Sequence, residues 1–264
     1  MREELTESCP RWLARALDAT PVGWNQSFRI ASMLEVLIGA AGAAALTCAG
    51  YSAMAPASQL YGRTLVRGSN PRHLALTFDD GPNDPHTLKL LEVLAKHDVR
   101  ATFFMIGRYV QQRPRIARAV AEAGHALGNH TFTHPNLIFS SEIETRIQLA
   151  ECNRAIEDVV GQTPKLFRPP FGARRPSTLR IARECGLAPV MWNVTGWDWD
   201  AHSSDAVEQK VAKQIHGGDI ILLHDGSHKQ LGLDRSHTVA ATDRLIARYK
   251  AESFEFVTIP EMLV

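Results

Sequence analysis

The segment Thr77-Phe-Asp-Asp-Gly-Pro82 and, further along, His130-Thr-Phe-Thr-His134 carry the residue types with which a hydrolase holds one divalent metal and keeps a base for water. Asp79 and Asp80 follow an apolar run, His73-Leu-Ala-Leu-Thr-Phe78, so both carboxylates emerge where a strand ends, and Gly81 lets the backbone turn there. Adjacent side chains on an extended segment point to opposite sides, which predicts one carboxylate on a metal and the other beside the attacking water. An Asp-Asp-Gly sequence on its own reads as a simple turn with solvated carboxylates; the two histidines change that reading. Spaced i and i+4, His130 and His134 share one side if their segment makes a helical turn, and Pro135 stops the turn from continuing. Two imidazoles and one carboxylate make three protein ligands and leave positions open for water and substrate.

Three further clusters follow. Arg168-Pro-Pro-Phe-Gly172 joins a guanidinium to two prolines that hold the backbone extended and a glycine that permits close approach. It predicts a two-pronged hydrogen bond from Arg168 to a carboxylate and a Phe171 amide that faces a developing oxyanion, against the plainer reading of a rigid corner. Trp197-Asp198-Trp199 and Leu222-Leu-His224-Asp225 are weak signals singly, because aromatic clusters are more often core and a strand-end histidine is more often merely hydrogen-bonded. Together they suggest Asp198 beside His224, a pairing that favours the imidazolium and suits it to protonate an amine leaving group.

Short apolar runs alternate with amphipathic stretches past Gln59, the pattern of repeated β-α units. Strands are expected at His73 to Phe78, Ala101 to Ile106, His125 to Gly128, Leu166 to Arg168, Ala188 to Trp192, Asp219 to Leu223 and Glu255 to Thr258. A helix is expected from Ser141 to Val160, with Ile143, Ile147, Ala150 and Ile156 near one face and a Ser141-x-x-Glu144 start that caps the first turn. Such units suggest a barrel, and nearly all the polar clusters fall where a strand ends, on the rim where parallel barrels mount their chemistry.

The 264 residues, 45% of them apolar, fit one large α/β domain preceded by a tail. A formal net charge of +1 excludes a broad basic field, so no nucleic acid is expected, and no protein partner either. No charged residue occurs from Val36 to Gly62, and the core of that stretch is long enough as a helix to cross a bilayer. The organisation expected is a cytoplasmic tail over 1–29, a membrane-spanning signal-anchor over 30–56, a connector over 57–72 and a catalytic domain over 73–264. Arg2, Arg11, Arg15 and Arg29 ahead of the span place the domain outside, although Glu3, Glu4, Glu7, Asp18 and Glu35 dilute the bias. The alternatives are a secreted domain released at Ala53-Met-Ala55 and a buried Ala/Gly helix. Cys9, Cys48, Cys152 and Cys185 show no metal-binding spacing.

With these clusters in this order, the chain resembles the NodB-homology polysaccharide deacetylases of carbohydrate esterase family 4, from about His73 to the C-terminus. The resemblance implies an α/β fold, a distorted (β/α) barrel of the NodB-homology type, here preceded by the membrane-spanning helix. It implies removal of N- or O-acetyl groups from a glycan with a divalent metal, zinc first, with cobalt, manganese or nickel as other occupants. By resemblance Asp79 is the base, Asp80, His130 and His134 the metal ligands, Arg168 the tether of Asp79, and Asp198 the partner that tunes His224, the acid. Pro170, Phe171, Trp199 and Leu222 are implied around the substrate, with Trp199 and Leu222 as walls for the acetyl methyl. Thr195 stands where many members have Asp, and Phe171 replaces the commoner Tyr. The acetylated glycan could be peptidoglycan, a secreted polysaccharide or a chitin-like oligomer; a deacylase or deformylase of a lipid-linked sugar and a non-catalytic glycan-binding barrel are the competing readings.

Overall fold

The structure, a computed structural model, describes residues 22–263. The cytoplasmic-tail expectation with Arg2, Arg11 and Arg15, together with Cys9, falls mostly outside the described residues. The chain divides after Gly50 into two compact units.

The first unit holds most of α1 (Val22–Met54), a helix of 33 residues. Its portion Glu35–Met54 has a mean hydropathy of 1.5 and is long and apolar enough to cross a membrane. Little of this portion is buried. Val36, Leu37, Ile38 and Leu46 are exposed, and a Cβ added at Gly39 or Gly42 meets nothing.

The second unit is built on parallel strands. β1 (His73–Gly81) lies at the centre, with β2 (Thr102–Met105), β3 (Ala126–Asn129), β4 (Leu166–Phe167) and β5 (Ala188–Pro189) following on one side. On its other side come β7 (Asp219–His224) and then β6 (Val194–Thr195), while β8 (Glu255–Phe256) pairs with the start of β1. β5 and β6 are the two ends of one stretch of chain: the first pairs with β4 and the second with β7. Between them Val190 bridges to Leu65, with the Leu65 amide on the Pro189 carbonyl and the Met191 amide on the Leu65 carbonyl. The sheet thus curls back toward itself as the distorted barrel that the sequence led us to expect.

The strand expected over Ala188 to Trp192 is corrected to the short β5 and the single bridge at Val190, and β6 was missed. Pro189 has no amide to donate, and Asn193 replaces ladder bonds with its side chain, its Oδ1 accepting from the Ile220 amide and its Nδ2 donating to Asp219.

Alternation along β1 assigns its faces. Leu74, Leu76 and Phe78 pack outward in the main core with Leu90 and Leu94 of α2 (His86–Lys96) and Leu245 and Ile246 of α8 (Ser236–Ala251). Ala75 packs inward with Phe104, Ile220, Ile259 and Met262, which close one end of the barrel. Thr77 and Asp79 continue that inner face, so the strand runs from an apolar plug to a polar mouth.

The remaining helices are α3 (Gly107–Gln112), α4 (Pro114–Glu122), α5 (Glu142–Val160), α6 (Pro176–Glu184), α7 (Ser204–Ala212) and α9 (Ile259–Met262). Ser141 caps α5 by accepting from the Glu144 amide at 3.1 Å, and left-handed Gly161 ends it. The face read from sequence needs correcting: Ile143 and Ile147 are 74% and 49% exposed. Ile156 is buried as expected, but in a stripe with Thr145, Leu149 and Cys152, because Thr145 satisfies its hydroxyl on the Ser141 carbonyl and so enters the core at little cost. Cys152 and Cys185 are free thiols, and burial pushes the Cys152 thiol up to about 12.

Candidate active site

At the mouth of the barrel a cavity of about 400 Å³ is lined by Asp79, Asp80, His130, His134, Phe171, Trp199, Leu222 and His224. The two adjacent carboxylates do not diverge as an ideal strand would have them. The register slips between Asp79 and Gly81, and Asp80 adopts φ +72°, so the bulge turns both carboxylates toward His130. Asp79 Oδ2 lies 3.7 Å from His130 Nε2 and Asp80 Oδ1 3.5 Å from it. The left-handed turn falls on Asp80, and Gly81 is required for a different reason: a Cβ there would stand 2.2 Å from the Asp225 carboxylate.

His130 and His134 also meet without the helical turn expected from their spacing. Thr131 and His134 both have positive φ, +65° and +64°, and the loop is held by side chains instead. Asn129 Oδ1 accepts from the Thr131 amide, Gln148 Oε1 from the amides of Phe132 and Thr133, and Thr131 Oγ1 from the His134 amide. The ring of His130 is locked by its Nδ1 on the Arg168 carbonyl at 2.8 Å. A carbonyl only accepts, so Nδ1 carries the proton and Nε2 presents its lone pair to the cleft.

Asp80 Oδ1, His130 Nε2 and His134 Nε2 suit a divalent cation. All three ligand atoms lie within 4.8 Å of one another, and Asp80 Oδ1 is buried without a hydrogen-bond partner. The 3.5 and 3.2 Å separations of Asp80 Oδ1 from the two Nε2 atoms match the spacing of about 3.4 Å between two donors about 2.1 Å from one tetrahedral ion. Protonation agrees with that role. Burial and the neighbouring His130 lower the His134 pKa to about 3, which keeps the ring neutral. Burial opposes the charge on Asp80, but the His228 hydrogen bond and the surrounding imidazoles hold its carboxyl well below the usual range.

Arg168 is fully buried at the end of β4. Its Nη1 donates to Asp79 Oδ1 at 2.7 Å and to Thr77 Oγ1 at 2.8 Å. Its Nε and Nη2 hold the carbonyls of Val190 and Met191 in the segment that closes the barrel, so the contact with Asp79 is single and not the expected two-pronged one. Asp79 Oδ2 remains turned to the cleft.

On the opposite wall Asp198 Oδ1 meets His224 Nδ1 at 2.9 Å, and Asp198 Oδ2 accepts from the His224 amide and the Thr238 hydroxyl. Burial disfavours the charge on His224, but Asp198 outweighs it through its own charge and hydrogen bond and raises the pKa to about 9. The mutual attraction also holds the Asp198 carboxyl below its usual range against its burial. With Nδ1 engaged, His224 Nε2 is free to serve the cleft. Phe171 and Trp199 are 46% and 45% exposed at the cleft edges, and Leu222 lies beneath. Pro170 does not line the cavity: it is buried at the start of the tight turn Pro170–Gly172, where it sets the path that lifts Phe171, at φ +59°, into the cleft.

Four residues escaped the sequence reading. His228 donates its amide to Asp80 Oδ2 at 3.1 Å and stacks on His134 with ring centroids 4.5 Å apart. Its place four residues after His224 was the available signal. Arg235 holds the Gly226 and Asp198 carbonyls, and Trp192 lines the cavity. Arg174, fully buried, donates from its amide to the Ala53 carbonyl and from its guanidinium to the carbonyls of Ala55, Ser58 and Gly172. It ties the stretch from Ala53 to Ser58 to the turn carrying Phe171.

The polysaccharide deacetylase family profile matches residues 67–190. A peptidoglycan-N-acetylglucosamine deacetylase of Bacillus cereus is 37% identical over 195 residues, 73% of this chain and 69% of its own length. A chitooligosaccharide deacetylase of Sinorhizobium fredii is 38% identical over 208 residues, 76% of this chain and 97% of its own. The chain belongs to the polysaccharide deacetylase family. It is a hydrolase, and its fold is that of the family: the crystal structure of a CE4 family pseudoenzyme from Bacillus anthracis superposes with a TM-score of 0.70 at 34% identity, covering 76% of this chain and 69% of that one.

Proposed function

We propose that the protein removes the N-acetyl group from N-acetylglucosamine units of an envelope glycan, with its catalytic domain outside a membrane spanned by α1. The observation that carries this reading is the arrangement of Asp79, the Asp80-His130-His134 cluster and the Asp198-His224 pair around one cavity. Similarity to a pseudoenzyme means that the fold alone does not make the activity. A full set of base, acid and ligands supports hydrolysis over mere glycan binding.

Asp80, His130 and His134 would hold a divalent cation, with zinc the best match to two imidazoles and a carboxylate, and it would supply Lewis acidity at the acetyl carbonyl. Asp79, fixed through Oδ1 by Arg168, takes the proton of the attacking water on Oδ2. The Phe171 amide faces the oxygen on which negative charge grows. His224, kept protonated by Asp198, delivers a proton from Nε2 to the departing amine, without which the C–N bond would expel an unstable anion. Trp199 and Leu222 enclose the acetyl methyl and exclude water from it.

The names of the relatives favour peptidoglycan or chitooligosaccharides as substrate, and the apolar α1 suits a catalyst held beside the envelope. Acetate release by the zinc-loaded protein from peptidoglycan fragments, N-acetylated chitooligosaccharides and a lipid-linked N-acylated sugar tests the proposal. Acetate from the first two supports it. Turnover confined to the lipid-linked sugar, or oligosaccharide binding with no acetate from any substrate, overturns it.

A further inference from the structure

Trp197 lies outside the set of residues that line the cavity, yet its ring is 49% exposed beside it. Its centroid is 5.0 Å from that of Trp199, and the Trp199 centroid is in turn 5.1 Å from that of His224. The three rings therefore form a series running outward from the acid to solvent. Trp197 also has φ +50°, a conformation that a bulky side chain rarely adopts and that costs free energy. Neighbours hold it there: the Trp197 amide donates to Thr195 Oγ1 at 3.3 Å, and the Asp200 amide to the Trp197 carbonyl at 3.2 Å.

A strained backbone that keeps an indole in water is unfavourable for folding on both counts, since burying that ring would stabilise the fold. Such an arrangement calls for a ligand that covers the ring. The ligand must be continuous with whatever occupies the cavity, because Trp199 belongs to both. Sugar rings have an apolar face of C–H groups that packs on an indole, and their hydroxyls stay solvated at the rim.

We infer that Trp197 is the platform of an additional subsite that binds the sugar flanking the reacting residue, so that the enzyme selects oligomers over short acetylated sugars. The inference rests on the proposed deacetylation of a glycan. Thr195, where many family members have Asp, supports the turn that presents the platform, which gives this departure a structural use.

The test compares kcat/KM for N-acetylated chitotetraose and chitobiose in the zinc-loaded wild-type protein and in Trp197→Ala and Trp197→Phe. The preference for the tetramer should fall about tenfold in Trp197→Ala and be largely retained in Trp197→Phe, which keeps an aromatic face. A tetramer-to-dimer ratio unchanged in Trp197→Ala overturns the subsite, because a merely structural role would depress both substrates alike. Calorimetric binding of chitotetraose to the same proteins measures the subsite independently of turnover. If the wild type binds the tetramer but releases no acetate, the catalytic proposal fails while the subsite stands or falls on the Trp197→Ala affinity. Equal affinity in wild type and Trp197→Ala removes it.

Discussion

Replacing Asp198 by Asn should move the alkaline limit of activity toward acid, and the structure gives the size of the shift. His224 is raised from 6.5 to about 9, with Asp198 the leading contributor that favours the proton, through its charge and the 2.9 Å hydrogen bond. That difference corresponds to about 3 kcal/mol in favour of the imidazolium. In Asp198→Asn the attraction is lost while burial, which opposes the charge, remains, so the pKa should return to about 6.5 or below. With His224 as the proposed acid, the protonated form is the active one and the effect has a definite sign. At about pH 8 roughly nine-tenths of the wild-type His224 carries its proton, against about 3% of the variant's, and kcat/KM should fall about 30-fold. At about pH 6 the corresponding loss is less than about twofold. The assay is kcat/KM on a chitooligosaccharide between about pH 5.5 and 9.5 with zinc content verified for both proteins. Water on a cation titrates in the same range, so the decisive quantity is the displacement between wild type and variant, not a bell shape. An alkaline limb that stays in place in folded, zinc-loaded Asp198→Asn refutes the pairing. Stability follows the same linkage: a raised histidine pKa contributes stability that is complete below about 6.5 and is lost as pH rises through about 9, so wild-type stability should decline across that interval more than the variant's.

His130→Ala and His134→Ala should each lose stoichiometric zinc and activity together, whereas Asp79→Asn should keep zinc and lose turnover by at least about a hundredfold; metal analysis of the purified proteins separates ligand from base, and zinc loss in Asp79→Asn would reverse the two carboxylates. Arg174→Ala leaves the Ala55, Ser58 and Gly172 carbonyls without their donor and should cost about 3 kcal/mol, a fall of roughly 10 °C in Tm by calorimetry; a change under about 2 °C would show that Arg174 does not fasten this segment.

The residues that meet in the cleft were legible in the sequence because they are of types that have few other uses together. Asp79-Asp80, His130-x-x-x-His134 and Arg168 identify themselves by type and spacing. Their conformations were not legible, because each is imposed by distant residues. The bulge at Asp80 fits against Asp225, which lies far along the chain just past the end of β7, and the His130 loop is shaped by Gln148 of α5. Local rules gave an extended pair and a helical turn, and long-range hydrogen bonds overrode both. The strand expected over Ala188 to Trp192 failed for a related reason, since only the closing of the sheet makes one stretch of chain serve two partners. Arg174 was invisible for want of any pattern: a guanidinium bound only to carbonyls has no carboxylate to reveal it.

One arginine explains why the site assembles only when the barrel does. Arg168 stands at the end of β4, yet its donors reach Thr77 and Asp79 on β1 and the Val190 and Met191 carbonyls in the segment joining β5 to β6, while its own carbonyl fixes the His130 ring. The side chain is buried against Phe104, 4.2 Å from its ring centroid, where a charge without partners would be prohibitive. Closure of the sheet is what supplies those partners. The orientation of Asp79, the tautomer of His130 and the path of the segment after β5 are therefore set by one residue, and none of the three can be correct in a barrel that is open at that point. Fold and chemistry are coupled here through satisfaction of buried polar groups, and the apolar plug of Ala75, Ile220 and Met262 at the other end of the same barrel supplies the packing that offsets the cost of such burial.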